Sequence, residues 1–345
     1  LILMPFVNTM NRKTQTLVIG AGAIGICCAF YLNQLGKDVT VVEKGDICSG
    51  SSHGNAGLIV PSHSIPLAAP GVITQGLKWM FDPESPFYIK PRLDHRFLSW
   101  LWKFRGACSE ANVSRALPAM SKLNAASLEL FDELAALEDV DFNLEKKGVV
   151  QIFLTRKEFD KGVKDARRLQ EFGVKSEVLE KIGLEPYAPK YRIAGVGGIF
   201  FPQDAQLIPD RLVHQLACHI ENNGAELLTS TEVLGFESSG RRVTTVKTTR
   251  GHIEAEEVIV AGGSWSVDLA RDLSIPTVLV PPQASTLSAL GMLMADIIKD
   301  YTQTVMLAGD TPLAILEQAL EPLAQRGENE LRAEGLQAHE MLIER

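Results

Sequence analysis

Apolar and polar positions along the chain change period several times, and each change predicts an element. From residue 16 an unbroken apolar run, Thr16-Leu-Val-Ile19, stops at Gly20-Ala-Gly-Ala-Ile-Gly25 and resumes as the apolar stretch Ile26 to Leu32. After Gly36 comes a second β-rich run, Val39-Thr-Val-Val42, ending in Glu43. The pattern predicts strand, helix, strand over 16–43. Phe97, Trp100, Leu101 and Phe104 recur at helical spacing. A longer helix is expected over about 119–137, a strand over 148–154 and a charged helix over 156–171. Ile208 to Asn222 reads as a helix with Pro209 near its start and Gly224 after its end. Strands follow at 227–229, 243–248 and 257–260, with turns at Ser238-Ser-Gly240 and Arg250-Gly251. The proline-rich stretch 66–96 reads as an irregular excursion, and past residue 280 the pattern is helical, over 284–300 and 313–334.

Length and composition narrow the class. A chain of 345 residues, 46% hydrophobic and 22% charged, is long enough for two domains or one large one. The formal charge of −8 and the lack of a dense Lys/Arg stripe exclude a nucleic-acid footprint. Cysteines stand at 27, 28, 48, 108 and 218 without metal-ligand spacing, so no metal is expected, and the usage fits a reducing, cytoplasmic compartment. No uninterrupted 18-residue apolar run predicts a membrane span. Residues 1–13 read as an extension, since Leu1 to Met10 lack the basic start and cleavage site of a leader.

The glycine turn carries the chemistry. Gly20 allows a tight exit from a buried strand, Gly22 allows backbone N–H groups to approach a pyrophosphate, and Gly25 allows the helix to pack close to the sheet. Glu43, 18 residues beyond Gly25, ends the second strand where a carboxylate can accept from ribose hydroxyls. A second block, Glu257-Val-Ile-Val-Ala-Gly-Gly-Ser-Trp-Ser266, runs an apolar strand straight into glycines. The plain alternative is a βαβ unit with a glycine-rich turn and no ligand.

Together with the Ser51-Ser-His-Gly-Asn-Ala-Gly57 loop, these blocks resemble the FAD-dependent oxidoreductases of the D-amino-acid oxidase superfamily, and within it the D-amino-acid dehydrogenases of small-subunit type. Trp100-Leu-Trp102, Leu184-Glu-Pro186, Gly198-Ile-Phe-Phe-Pro-Gln-Asp204 and Pro209-Asp-Arg-Leu212 extend the resemblance over about 14–280. It implies an α/β fold: a Rossmann-like FAD-binding domain (about 14–95 and 200–280) with an inserted α+β substrate domain (about 96–199), incomplete, followed by a helical tail. It implies that Gly20, Ala21, Gly22, Ala23, Ile24 and Gly25 hold the FAD pyrophosphate and that Glu43, with Lys44 beside it, holds the adenosine ribose. Ser51, Ser52, Gly57 and Leu58 line the phosphate and isoalloxazine side, and the backbone of Val233 recognises adenine. Ala261, Gly262, Gly263 and Trp265 cover the cofactor, core packing being the alternative for Trp265. Relatives that tether FAD do so through a histidine in this loop. Registering Ala56-Gly57 against that loop puts Gly54 rather than His53 at the position, so noncovalent FAD is expected and His53 reads as a loop polar residue.

The implied reaction oxidises a small-molecule amino acid at its α-carbon to the imine, which hydrolyses to a 2-oxo acid. No catalytic residue is assigned. Electrons would pass to a quinone or the respiratory chain, and the aromatic segment Trp79 to Phe104 suits a peripheral contact with the inner face of the membrane, packing against the flavin domain being the alternative. Residues 281–345, including Pro281 to Asp296 and Asp300 to Val305, resemble a segment of the hydantoinase A and 5-oxoprolinase family. The expectation is that this tail replaces the rest of the flavin fold and leaves turnover negligible. A hydrolase component related to the hydantoinases and a non-catalytic nucleotide-binding protein are the alternative functions.

Overall fold

The computed structural model describes residues 10–66, 68–73, 95–187, 195–239, 242–266 and 269. The tail expected over 281–345, and residues 79–94 of the aromatic segment, lie outside the described residues. By internal contacts the chain divides into two units: the described parts of 1–59, 124–146 and 205–345, and those of 60–123 and 147–204.

The first unit is built on a six-stranded sheet. Strands β1 (Met10–Ile19) and β2 (Val39–Val42) flank helix α1 (Ala23–Gln34) in sequence. The two-residue strand β3 (Leu58–Ile59) stands apart from that sheet and pairs with β7 (Ala205–Gln206). Later come helix α5 (Pro209–Asn222) and strands β8 (Glu226–Leu228), β9 (Val233–Ser239), β10 (Arg242–Thr248) and β11 (Gly251–Val260). The strand order is β8-β2-β1-β11-β10-β9. The first four are parallel, and β10 joins them antiparallel through its hairpin with β11. Parallel strands covered on both faces need mostly apolar residues, which Val39, Val41 and Val42 and Leu17 to Ile19 supply, with Thr40 the buried exception. Helix α1 is buried nearly all round, from Ile26 to Leu32, and packs on α5.

Strand β1 is longer than expected. Met10 to Lys13, which the sequence pattern assigns to an extension, pair with Gly251 to Glu254, and the Arg12 guanidinium pairs with Glu226. Asn11 to Lys13 are polar, so no apolar pattern marks this stretch. Lower in the sheet, Thr16 donates to Glu257 at 2.9 Å and Lys37 lies 3.3 Å from the same carboxylate. Glu257 is buried and Lys37 half-buried, and the Thr16 hydroxyl and Lys37 ammonium together meet the carboxylate oxygens.

The second unit holds an antiparallel sheet, β4 (Val149–Phe153), β6 (Gly197–Phe201) and β5 (Glu177–Glu180) in that order. Helix α4 (Arg156–Gln170) packs on β6 around a core of Ala166, Leu169, Val174, Ile199 and Phe201. Thr155 is its N-cap: Thr155 Oγ1 accepts from the Glu158 amide and donates to the Glu158 carboxylate at 2.9 Å. Helix α2 (His95–Ala107) bears the expected aromatic spacing, but Trp102 is 74% exposed rather than packed. Helix α3 (Glu110–Ala135) begins before the expected 119 and runs through Pro118. The proline forfeits one backbone hydrogen bond, and Val113 and Leu117 on the preceding turn are buried, so packing outweighs that loss.

One acid of this unit is fully buried. The Asp204 carboxylate accepts from the Ser62 hydroxyl at 2.6 Å and the Ser62 amide at 3.1 Å. Burial pushes it up to about 6 against the opposing pull of the two Ser62 bonds.

Candidate functional site

Strand register sets the site. Ile19 stands opposite both Val42 and Val260, so β1, β2 and β11 end level and the chain leaves all three at Gly20, Glu43 and Ala261. The strand order reverses here, with β2 on one side of β1 and β11 on the other, the crevice where open α/β sheets bind ligands. Three backbone bonds hold the mouth: the Gly20 amide donates to Val42, Ala261 to Ile19 and Glu43 to Leu228, at 2.8, 2.8 and 2.9 Å.

Two glycines of the turn are demanded by contacts. Gly20 has φ +109°, and a Cβ there would lie 2.6 Å from the Ala261 carbonyl oxygen. A Cβ on Gly25 would lie 1.8 Å from the Gly20 carbonyl oxygen and 3.4 Å from the Ala261 side chain, the close helix-to-strand approach that the spacing predicts. Gly22 meets no backbone: a Cβ there would reach only the Ser52 hydroxyl at 3.1 Å. Gly22 is the N-cap of α1 and has no side chain to cap it. The first turn therefore presents amides outside the intrahelical ladder, at the positive end of the helix dipole. Ala21 and Ala23 are buried beneath this turn and Ile24 is half-buried against the core.

Glu43 and Ser52 frame those amides. The Glu43 carboxylate accepts from the Ala21 and Gly45 amides, each at 2.9 Å, and Ser52 Oγ accepts from the Ala23 amide at 3.0 Å. A carboxylate offers about four lone-pair sites, so two remain for hydroxyl donors. The Thr231 amide donates to the Glu43 carbonyl at 2.8 Å, which brings the 230–233 segment beside the acid. Val233 opens β9 opposite Thr248 and is half-buried rather than buried.

Trp265 stands at the rim. It is 50% exposed, which removes core packing as its reason, and the Lys44 ammonium lies 4.4 Å from its ring centroid. A Cβ on Gly50 would lie 3.9 Å from the same ring, so the 50–57 loop and the late glycine block meet. Gly262 precedes the short 3₁₀ turn Gly263–Trp265, and Gly263 has φ +57°. Ser51 is exposed on the loop. Gly57 and Leu58 are instead tied to 205–207: Leu58 pairs with Gln206, the Leu207 amide donates to Gly57, and a Cβ on Gly57 would lie 2.1 Å from the Leu207 oxygen.

The loop also carries a polar cluster that sequence spacing does not reveal. His53 Nδ1 lies 3.0 Å from Asp210, and His214 Nδ1 lies 3.3 Å from the same carboxylate. The His53 bond holds Asp210 below the usual carboxylate range. Cys48, buried beside it with φ +61°, is pushed up to about 11 by burial and by the Asp210 charge. His53 and Asp210 fall 157 positions apart in the chain, too far for any local motif.

The donor set fits FAD. First-turn helix amides beyond Ala23, behind a side-chain-less Gly22, suit a pyrophosphate, and the remaining acceptor sites of Glu43 suit ribose hydroxyls. A parallel sheet with this cradle at its carboxyl edge defines a dinucleotide-binding class. The chain belongs to the FAD dependent oxidoreductase family, which matches over residues 15–311. That match continues through 281–311, past the seam expected near 280, and the relatives lend no support to the hydantoinase resemblance of 281–345. A D-amino acid dehydrogenase of Granulibacter bethesdensis is 28% identical over 86% of this chain and 68% of its own length. One of Vibrio atlanticus is 30% identical over 85% and 70%. Among solved structures, glycine oxidase from Geobacillus kaustophilus aligns with a TM-score of 0.58 at 21% identity, covering 77% of this chain and 60% of that chain. L-proline dehydrogenase from P. horikoshii gives 0.58 at 20%, covering 80% and 63%. These last two show the fold alone. The chain thus spans about two thirds of the length of the curated relatives and three fifths of the solved chains.

Proposed function

We propose that this chain holds FAD noncovalently and oxidises a D-amino acid, or a related amine, at its α-carbon. The observation that carries the reading is the cradle itself: the Gly25-to-Gly20 contact, the uncapped helix start at Gly22, and the Glu43 carboxylate bonded across to the Ala21 amide. Similarity to D-amino acid dehydrogenases supports the substrate class. Bound FAD supplies the hydride acceptor, and the imine product hydrolyses in water to the 2-oxo acid and ammonia.

The roles of this chain's residues are binding and orientation. Amides at the start of α1 hold the pyrophosphate, Glu43 accepts from the ribose, and Val233 presents its backbone to adenine. Ser52 fixes the 50–57 loop over the helix start through the Ala23 amide. Trp265 and Lys44 close the rim beside Gly262 and Gly263. The described parts of 1–59, 124–146 and 205–345 form the flavin unit, and those of 60–123 and 147–204, with the β4-β6-β5 sheet and α4, form the substrate unit. A free neutral amine needs no strong base, so no side chain is assigned to proton removal.

A quinone or respiratory-chain acceptor is part of the same reading. Trp102 and Leu98 are 74% and 54% exposed on α2, with Arg105 5.7 Å from the Trp102 ring, a face that suits a peripheral membrane contact. No helix of the described residues is long and apolar enough to cross a membrane. The test is anaerobic addition of D-alanine and of L-alanine to the yellow protein. Bleaching of the flavin absorbance by the D-isomer supports the reading; a spectrum unmoved by a panel of D-amino acids contradicts it.

A further inference from the structure

The cluster between the 48–53 loop and the start of α5 lies outside every role assigned above. Ligand atoms of Cys48, Asp210 and His214 all lie within 4.8 Å of one another, the one such trio of metal-binding side chains among the described residues. His53 extends it, with Nδ1 3.0 Å from Asp210. We propose that Cys48, Asp210 and His214, with His53 as fourth donor, bind a single divalent cation of the zinc class.

The chemistry of the donors selects the ion. One thiol, two imidazoles and one carboxylate are the ligand types of four-coordinate zinc, whereas magnesium and calcium take oxygen sets. Donors of a tetrahedral ion stand about 3–4 Å apart at zinc bond lengths, so the trio closes by small side-chain rotations. Asp210 and His214 lie at i and i+4 on α5, which puts them on one face of the helix. Cys48 is 2% exposed, while His53 and His214 stand at the surface, so the site has a buried anchor and an open approach. Binding replaces the thiol hydrogen by the metal: the Cys48 sulfur–hydrogen bond breaks, a sulfur–metal bond forms, and the proton passes to water. The Cys48 amide donates to the Ala21 carbonyl at 3.0 Å. A bound ion would therefore lock the loop both to α5 and to the glycine turn.

The experiment uses the full chain stripped with a chelator and desalted, then titrated with Zn²⁺ in competition with a chromophoric chelator. One equivalent is expected to bind. C48S, D210N and H214N should each weaken binding at least tenfold, on the order of the 10–100-fold seen when even supporting partners of a metal site are lost. C218S, at an exposed cysteine of the same helix, should leave it unchanged. Co²⁺ should give a thiolate-to-metal charge-transfer band that C48S abolishes. D210N and H214N alter side chains at the surface, so they decide the matter if C48S fails to fold. Absence of stoichiometric binding, or wild-type affinity in folded D210N and H214N, overturns the proposal.

Discussion

Replacing Asp204 with Asn should remove a pH dependence of stability whose size follows from its surroundings. The carboxyl is fully buried and raised from 3.8 to about 6, so between those values the folded chain binds a proton that the unfolded chain has released. Stability contributed by this group is therefore fully present below about pH 4 and declines as pH rises through about 6. At 1.36 kcal/mol per pH unit the decline reaches about 3 kcal/mol by pH 7. Asn keeps the geometry: its oxygen accepts from the Ser62 amide, and its NH₂ donates to the Ser62 hydroxyl, which rotates to accept. Urea unfolding of both proteins from about pH 4 to 8 should show the variant gaining up to about 3 kcal/mol on the native chain across this range. His63, held below its ordinary value by burial, adds a slope of opposite sign. It is common to both proteins and cancels in the difference. Parallel pH profiles would refute the reasoning, because an Asp204 already ionised at pH 4 in the folded chain produces no divergence.

Other substitutions test the cradle and its supports. Glu43→Ala frees two amides, each bonded at 2.9 Å, and should cost about 2–4 kcal/mol in stability by thermal melting and roughly 1–3 kcal/mol in FAD affinity by flavin fluorescence; full retention of FAD would show that Glu43 is not the ribose ligand. Gly25→Ala drives a Cβ to 1.8 Å from the Gly20 oxygen, so the melting temperature should fall by the equivalent of about 1–3 kcal/mol or more and FAD should be lost; a variant as stable and as yellow as the native chain would contradict the packing argument. Thr155→Ala removes the cap of α4 and should cost about 1 kcal/mol in urea unfolding, with FAD affinity unchanged.

Local rules make the core of the flavin unit legible. The strand, glycine turn and helix at 16–34 obey spacing constraints that act within a few residues, and the Gly20 and Gly25 contacts bear them out. Strand β6 escapes those rules because Gly197 and Gly198 add no side chain to an apolar pattern. They are glycines because Cβ atoms there would lie 2.7 Å from the Phe159 ring and 2.6 Å from Leu184, a packing demand invisible along the chain. Asn11 to Lys13 escape them because polar residues join a strand when a partner edge, here His252 to Glu254, is supplied by distant sequence. The start of α3 lies earlier than expected because Val113 and Leu117, ahead of Pro118, are buried and hold that segment in the helix. Ser62 with Asp204, and His53 with Asp210, are joined across 142 and 157 positions, and only folding brings them together.

The central claim is that the Gly20–Gly25 turn and Glu43 hold FAD without a covalent bond. Its most direct measurement is the flavin content of the purified full chain, before and after acid precipitation, with chromatography of what is released. The account predicts one FAD per chain, all of it recovered intact in the supernatant, and no displacement of it by NAD. Flavin that stays with the precipitated protein, or a chain that neither carries FAD nor takes it up when titrated, would contradict it.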